Sequence, residues 1–170
     1  MKNIILILLL SFPSLVKCQI TSNIITETEF NNIKINNVTF SNIKATNGNQ
    51  DQLENLFAMN IQEADIDIDG EFYNYTYDGF TIGFSGILGS IQQPEISSFE
   101  ITNSNWSITI QGKTVTIGSN KKELGNVILN NQVNGEKSIV YQYCDGCNNF
   151  ISLYLDSNNL ITKIVYIEMT

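Results

Sequence analysis

The sequence predicts a strand-dominated α+β fold built from two tandem repeats, each a short helix followed by antiparallel strands. Short runs alternate apolar with polar residues, and this period of two is typical of half-buried strands. Helical periodicity is confined to residues 49–57 and 120–128. The order of these patterns recurs in the two halves, at about residues 30–102 and 103–170. We therefore expect one curved sheet with two short helices on one of its faces.

The N-terminus has the layout of a secretory signal peptide. Lys2 precedes an uninterrupted apolar run at residues 4–10, which is too short for a bilayer span of about 20 residues. We predict cleavage after Cys18, so that residues 19–170 form a single extracytoplasmic domain, secreted or periplasmic. No later segment predicts a transmembrane span. An alternative is a lipid anchor on Cys18, although Lys17 fits the lipoprotein pattern poorly.

Strands are predicted wherever β-branched and aromatic residues alternate with polar ones. They fall at residues 33–35, 72–77, 80–84, 99–101, 108–110, 115–117, 151–155 and 164–167. Asp78-Gly79, Asp145-Gly146 and residues 157–159 are turn sequences between them. Such regular spacing indicates an antiparallel sheet.

The two predicted helices begin alike. Asn49 and Asn120 stand at the N-cap positions, each with Gln or Glu three residues later, as in a capping box. Apolar residues then follow at the i, i+3, i+4 spacing of one buried helix face. After each helix the strand patterns also match. Residues 73–75 correspond to 141–143, 80–84 to 151–155, and 96–101 to 161–166.

The element order and the Asn-x-x-Gln/Glu-Leu-x-Asn motif at residues 49–55 and 120–126 resemble the beta-lactamase inhibitory protein fold and the related small outer-membrane assembly lipoproteins. The resemblance covers about residues 33–167. It implies two units joined edge to edge into one concave sheet with the helices behind it. None of that family's binding residues has a match in this chain.

The net charge of the chain restricts the classes of molecule that it is expected to bind. The chain has 17 acidic residues and 9 lysines, and loss of Lys2 and Lys17 with the signal peptide takes its net charge from −8 to −10. Nucleic acids and anionic membranes are bound through clustered basic residues, so neither is expected. A basic protein would be steered towards this chain.

Histidine is absent, which removes serine–histidine and cysteine–histidine nucleophiles and the usual general base near neutral pH. Only paired carboxylates or a lysine remain for catalysis, and neither occurs in a recognisable motif. We therefore predict a protein that is not an enzyme and carries no cofactor.

Cys144 and Cys147 flank an Asp-Gly turn. In an exported protein they are expected to form a disulfide that staples a hairpin. The alternative is a CxxC redox centre, but the flanking segments are strands and Asp145 opposes thiolate formation. Zinc would require four ligands, and only two sulfurs are at hand.

Asp65, Asp67 and Asp69 imitate the start of a calcium loop, D-x-D-x-D-G. The bidentate glutamate of such a loop would fall on Thr76, which cannot serve. The alternative is a strand with an acidic solvated face, and the sequence predicts no other metal site.

Five tyrosines fall on matching strand faces, and we consider them as anchors for a protein partner or as core. They are Tyr73, Tyr75, Tyr77, Tyr141 and Tyr143. Asn37, Asn74 and Asn105 begin glycosylation sequons.

The predicted function is an exported, non-catalytic protein-binding module that offers its sheet face to an unidentified protein partner. One alternative is a lipid-anchored envelope structural or assembly protein. The other is a carboxylate-dependent enzyme acting on glycans.

Overall fold

The computed structural model describes residues 22–67, 69, 71–86, 93–131 and 136–168. The predicted signal peptide at residues 1–18 lies outside these described residues. No helix in the described ranges is long and apolar enough to cross a membrane.

The described chain is rich in strands and contains three α-helices and one 3-10 helix. The strands are β1 (Asn23–Ile24), β2 (Lys34–Ile35), β3 (Val38–Thr39), β4 (Glu63–Ile66), β5 (Phe72–Tyr77), β6 (Phe80–Ser85), β7 (Glu95–Ile101), β8 (Ser107–Ile110), β9 (Lys113–Thr116), β10 (Asn130–Asn131), β11 (Lys137–Gln142), β12 (Asn149–Leu155) and β13 (Ile161–Glu168). The helices are α1 (Glu27–Asn31), α2 (Phe40–Lys44), α3 (Gln50–Phe57) and the 3-10 helix Lys121–Leu124. The predicted strand-dominated α+β class is confirmed.

The main sheet has nine strands within the described ranges. Eight run in the order β1-β11-β12-β13-β7-β6-β5-β4, and β10 also pairs with β11. All pairs are antiparallel except β1 with β11. The strand β4 ends the sheet on one side, and among the described residues nothing pairs with its outer edge.

The main sheet consists of two three-stranded meanders that meet edge to edge. One is β5-β6-β7, the other is β11-β12-β13, and they are joined where β7 pairs with β13. Each meander has one register shift between its second and third strands. The shift falls at Gly83/Phe84 in the first meander and at Tyr154/Leu155 in the second.

A smaller sheet has the order β3-β2-β8-β9 and consists of two hairpins paired through β2 and β8. Each hairpin turns through two residues with positive φ, Asn36-Asn37 in the first and Gln111-Gly112 in the second. Two successive residues with positive φ are typical of the type I′ turn that closes tight hairpins.

One contiguous apolar core lies between the inner face of the main sheet, the helices and the small sheet. Phe40 of α2 reaches the main sheet, with its ring 4.9 Å from that of Tyr166. Trp106, which precedes β8, lies 4.4 Å from the ring of Phe80 and donates its indole N–H to the Asp78 carbonyl (2.8 Å). The tryptophan therefore connects the small sheet to the turn between β5 and β6.

The first predicted helix is confirmed. Asn49 caps α3 and accepts the backbone N–H of Gln52 (3.0 Å), while Leu53 and Phe57 are buried. Leu56 is partly buried against the same core. The i, i+3, i+4 pattern therefore identified the buried face of α3 correctly.

The second predicted helix, over residues 120–128, is wrong beyond its first turn. Asn120 and Glu123 form the expected capping box, but the 3-10 helix ends at Leu124 because Gly125 adopts a positive φ of 80°. Asn23 then holds the backbone of Ile128 through two hydrogen bonds, of 2.8 and 3.2 Å, in a non-helical segment. The side chain of Ile128 is 48% exposed, so no second amphipathic face forms.

Two helices were not predicted. Thr26 caps α1 in a complete capping box with Glu29, and Thr39 caps α2. Each helix spans only five residues, which is too short for a helical period to emerge from the sequence.

Candidate functional site

The predicted aromatic binding face is wrong, because these tyrosines face the core. Tyr73, Tyr75, Tyr77 and Tyr141 are each at most 4% exposed, and Tyr143 is partly buried against the same core. Alternation along a strand shows which residues share a face, but whether helices cover that face depends on tertiary packing. The alternative interpretation, that the tyrosines belong to the core, fits their burial.

Two of these tyrosines differ in how their hydroxyl groups are satisfied. The hydroxyl of Tyr75 donates to the Gly48 carbonyl at 2.7 Å. The hydroxyl of Tyr77 is buried and has no hydrogen-bond partner among the described residues. Burial raises the pKa of both side chains, and it raises the pKa of Tyr141 to about 12. These shifts follow from the cost of a phenolate in an apolar environment.

The outer face of the main sheet is partly open where β6, β7 and β13 meet. A shallow depression of about 400 Å³ is lined there by Thr81, Ser98, Glu100, Val165 and Ile167. An ion pair of 3.7 Å between Lys163 and Glu100 crosses from β13 to β7, and both side chains are more than 40% exposed. Such an exposed pair contributes little to stability. The depression is too mixed and shallow to indicate one ligand.

The edge of the main sheet formed by β4 is acidic. All four residues of β4 are exposed, and Ile66 is 51% exposed. Glu63 pairs with Thr76 and Asp65 with Asn74, so both carboxylates lie on the outer face of the sheet. We call β4 together with the following Asp67 the acidic edge.

An acidic depression adjoins the start of β4. It has a volume of about 520 Å³ and is lined by Asp51, Glu54, Asn55, Ala58, Met59 and Asn60. The Glu54 carboxylate accepts N–H groups from Ile61 (3.1 Å) and from the Gln50 side chain (3.2 Å).

The acidic edge and the acidic depression belong to a segment of the sequence that contains no basic residue. Residues 45–112 contain ten aspartates and glutamates and no lysine or arginine. The remaining seven acidic residues share the rest of the chain with all nine lysines. We call residues 45–112 the acidic segment. The net charge of the chain does not reveal this segregation, whereas a sliding count of charged residues along the sequence does.

The predicted calcium ligands do not gather around one point. Asp67 Oδ1 instead accepts the backbone N–H groups of Glu71 (2.7 Å) and Phe72 (3.1 Å), which closes the connection into β5. Asp65 belongs to β4 and Asp69 to the following turn. No group of three or more His, Cys, Asp or Glu residues suited to a metal occurs in the described ranges. Of the two interpretations, the solvated acidic strand fits these contacts better.

Cys144 and Cys147 form a disulfide across the turn between β11 and β12, with a Cα–Cα distance of 5.4 Å. Gln142 Nε2 donates to the Cys147 carbonyl (2.8 Å), which further fixes the turn. Both flanks are strands, as the staple interpretation expects. A bonded pair of cysteines is typical of proteins outside the cytoplasm.

The three sequon asparagines are all exposed. Asn37 lies in the first type I′ turn, Asn74 on the outer face of β5 and Asn105 before β8. Asn105 donates its side-chain amide to Asp78 (3.2 Å).

The described residues thus combine a segregated distribution of charge with a sheet edge, at β4, that no described strand covers. Comparison with protein-family models, with curated proteins and with solved structures finds no match to this chain.

Proposed function

We propose that this chain is an exported, non-catalytic protein that binds a basic protein partner through its acidic segment. The observation that carries the proposal is the segregation of charge, because ten carboxylates within residues 45–112 have no basic residue among them. Such a surface accelerates association with a partner of opposite charge and disfavours acidic competitors. The binding surface is then the acidic edge and the acidic depression, in place of the tyrosine face first predicted.

Export is part of the proposal. The Cys144–Cys147 disulfide suggests an extracytoplasmic location. The apolar run at residues 4–10 supports a signal peptide that is removed after Cys18, which leaves one domain at residues 19–170. Mass spectrometry of the mature protein tests this. A terminus at Gln19 is expected, and a diacylated Cys18 would instead identify the lipid-anchored envelope protein.

We also propose that the fold arose from two copies of one unit, as the resemblance to the beta-lactamase inhibitory protein fold implies. The two meanders support this, because the residue pairs between β7 and β13 are related by an approximate two-fold symmetry that exchanges equivalent residues of the two units. Phe99 pairs with Tyr166, and Ile101 pairs with Ile164. Exchange of the sequence-equivalent residues, 99 with 164 and 101 with 166, converts the first pair into the second. The matching register shifts and type I′ turns obey the same exchange.

The correspondence between the first strands of the meanders needs one change. Tyr77 pairs with Phe80, and Tyr141 pairs with Ile151. Since Phe80 is equivalent to Ile151, the equivalent of Tyr141 is Tyr77 rather than Tyr73. The sequence alignment matched the tyrosines by their spacing alone and was shifted by four residues.

Parallel capture from the native extracellular fraction tests the binding function. The bait is mature wild-type protein beside Glu63→Gln/Asp65→Asn/Glu71→Gln and a control, Glu27→Gln/Asp145→Asn. All changed residues are exposed, and the variants keep side-chain size. We expect a basic protein that the wild type and control retain, that the triple variant loses, and that moderate salt releases. Equal recovery on the triple variant and wild type would refute the proposal.

The carboxylate-dependent glycan enzyme is a second candidate, because Asp51 and Glu54 line the same acidic depression. Such enzymes need one carboxylic acid that donates a proton to the leaving group and a second carboxylate close to it. Incubation with oligosaccharides separates the candidates. Hydrolysis that Glu54→Gln abolishes while leaving the thermal unfolding midpoint unchanged would favour the enzyme.

A further inference from the structure

Among the described residues, no strand pairs with the outer edge of β4, which therefore offers a row of backbone groups to a further strand. In the pairing with β5, the N–H of Asp67 donates to the Phe72 carbonyl (3.1 Å). Bonded and non-bonded residues alternate in an antiparallel ladder, so Glu63, Asp65 and Asp67 direct their backbone groups towards β5. The N–H and C=O groups of Ala64 and Ile66 therefore point away from the sheet. Both residues are exposed, which leaves room for a further strand.

The side chains beside this row decide which strand can pair there. Acidic residues alternate along it at positions 63, 65 and 67, with Ala64 and Ile66 on the other face between them. A second copy of β4 would fit poorly. Antiparallel pairing centred on Asp65 sets that residue against its copy and Glu63 against Asp67 of the copy. Like charges directly opposite each other across a ladder are destabilising. If the added strand carries basic residues at alternate positions, each of these repulsive contacts becomes an attractive one.

We propose that β4 accepts an extended basic segment of the partner as an additional antiparallel strand of the main sheet. The segment carries lysine or arginine opposite Asp67, Asp65 and Glu63. It carries an apolar residue opposite Ile66, whose side chain is 51% exposed, and a small residue opposite Ala64. Main-chain hydrogen bonds supply affinity and the alternating side chains supply specificity, as in other cases of strand addition. This inference rests on the proposed function and names the structure that the bound partner adopts.

A short peptide with the core Lys-Val-Lys-Thr-Lys, labelled at its N-terminus, is a direct probe. Its fluorescence anisotropy is measured with mature protein. The first control peptide replaces the lysines by glutamate. The second keeps all charges but carries N-methyl groups on its valine and threonine, which removes the N–H groups that would donate to Ile66 and Ala64. We expect saturable binding of the lysine peptide, at least tenfold weaker binding of the N-methylated one, and none of the glutamate peptide.

Two variants that change residues of β4 test the same contacts in the protein instead of the peptide. Ala64→Pro removes one outward N–H without touching the ladder to β5, and proline is tolerated on edge strands. Glu63→Gln/Asp65→Asn removes two of the three facing charges and leaves Asp67, whose carboxylate accepts the N–H groups of Glu71 and Phe72. We expect each to weaken the lysine peptide by about tenfold, while Glu27→Gln/Asp145→Asn stays within about twofold. Circular dichroism checks that Ala64→Pro is folded. Hydrogen exchange of the Ala64 and Ile66 amides should slow when wild-type protein binds the peptide.

The outcomes separate this inference from the function on which it rests. If the N-methylated peptide binds within twofold of the parent, the contact is electrostatic only and strand addition is refuted. Absence of lysine-peptide binding refutes it equally, and in either case capture of a basic partner through the acidic residues keeps the function intact. If the Glu63→Gln/Asp65→Asn/Glu71→Gln bait captures the same proteins as wild type, both fail together.

Discussion

Two neighbouring tyrosines on β5 should respond oppositely to loss of their hydroxyl groups. Tyr75 and Tyr77 are each 2% exposed and lie on the same face of the strand. The Tyr75 hydroxyl donates to the Gly48 carbonyl at 2.7 Å, whereas the Tyr77 hydroxyl has no partner within the described chain. Tyr75→Phe leaves a carbonyl short of its donor, at a cost of about 1–2 kcal/mol. Tyr77→Phe relieves an unpaired buried hydroxyl and should stabilise the fold by about 1 kcal/mol.

The two variants should therefore differ by about 2–3 kcal/mol in the free energy of unfolding. For a domain of this size that corresponds to roughly 5–10 °C in the unfolding midpoint. Urea unfolding followed by circular dichroism measures the difference, and equal slopes against urea concentration show that the unfolded states are comparable. If Tyr77→Phe destabilises the protein as much as Tyr75→Phe does, the Tyr77 hydroxyl has a partner and the reasoning fails.

Three further predictions concern the alkaline limit, the disulfide and the turn before β5. Burial raises the pKa of Tyr141 to about 12 against roughly 10 in the unfolded chain, so its contribution to stability is complete below pH 10. We expect the contribution of Tyr141 to the free energy of unfolding to be lost progressively from about pH 10 to 12. Urea unfolding at each pH measures this loss, and tyrosinate absorbance follows the ionisation of the side chain. Reduction of Cys144–Cys147 should lower the free energy of unfolding by at most about 2 kcal/mol, because the closed loop is short; a loss of cooperative unfolding would contradict this. Asp67→Ala should cost about 1–2 kcal/mol by removing two N–H acceptors, and Asp69→Ala under 0.5 kcal/mol. If millimolar calcium raises the melting temperature of the wild type but of neither variant, the interpretation of these aspartates as a calcium site would be supported after all.

Every strand segment predicted from alternation overlaps an observed strand, and α3 was predicted too, but β1, β3, β10 and β11 were not among the predicted segments. The strand Phe72–Tyr77 was predicted with its observed bounds, since its alternation is uninterrupted and Asp78-Gly79 closes it. The helix α3 has both a capping asparagine and three apolar residues on one face. Residues 120–128 share that cap, yet the bonds between Asn23 and Ile128 and the positive φ of Gly125 override it. A contact between residues more than one hundred positions apart leaves no local trace.

The candidate site was harder to predict because it depends on what covers each surface. Alternation placed Tyr73, Tyr75 and Tyr77 on one face correctly, but only the positions of the helices decide that this face is the core. For the acidic edge, the local pattern could be recognised in the sequence, but its position in the sheet could not. Asp65 and Asp67 were visible as part of an acidic strand, but that β4 ends the sheet follows from the pairing of β7 with β13, which fixes the order of the described strands.

The position of Trp106 makes its intrinsic fluorescence a reporter of the packing between the small sheet and the main sheet. It is the sole tryptophan, 1% exposed, and its ring lies within 5.5 Å of Phe57 and Tyr77 as well as Phe80. Any detachment of the small sheet would admit water to the indole and shift its emission to longer wavelength, even while the nine-stranded sheet stayed paired. Fluorescence and far-ultraviolet measurements on one sample can thus distinguish partial opening from global unfolding without an added dye.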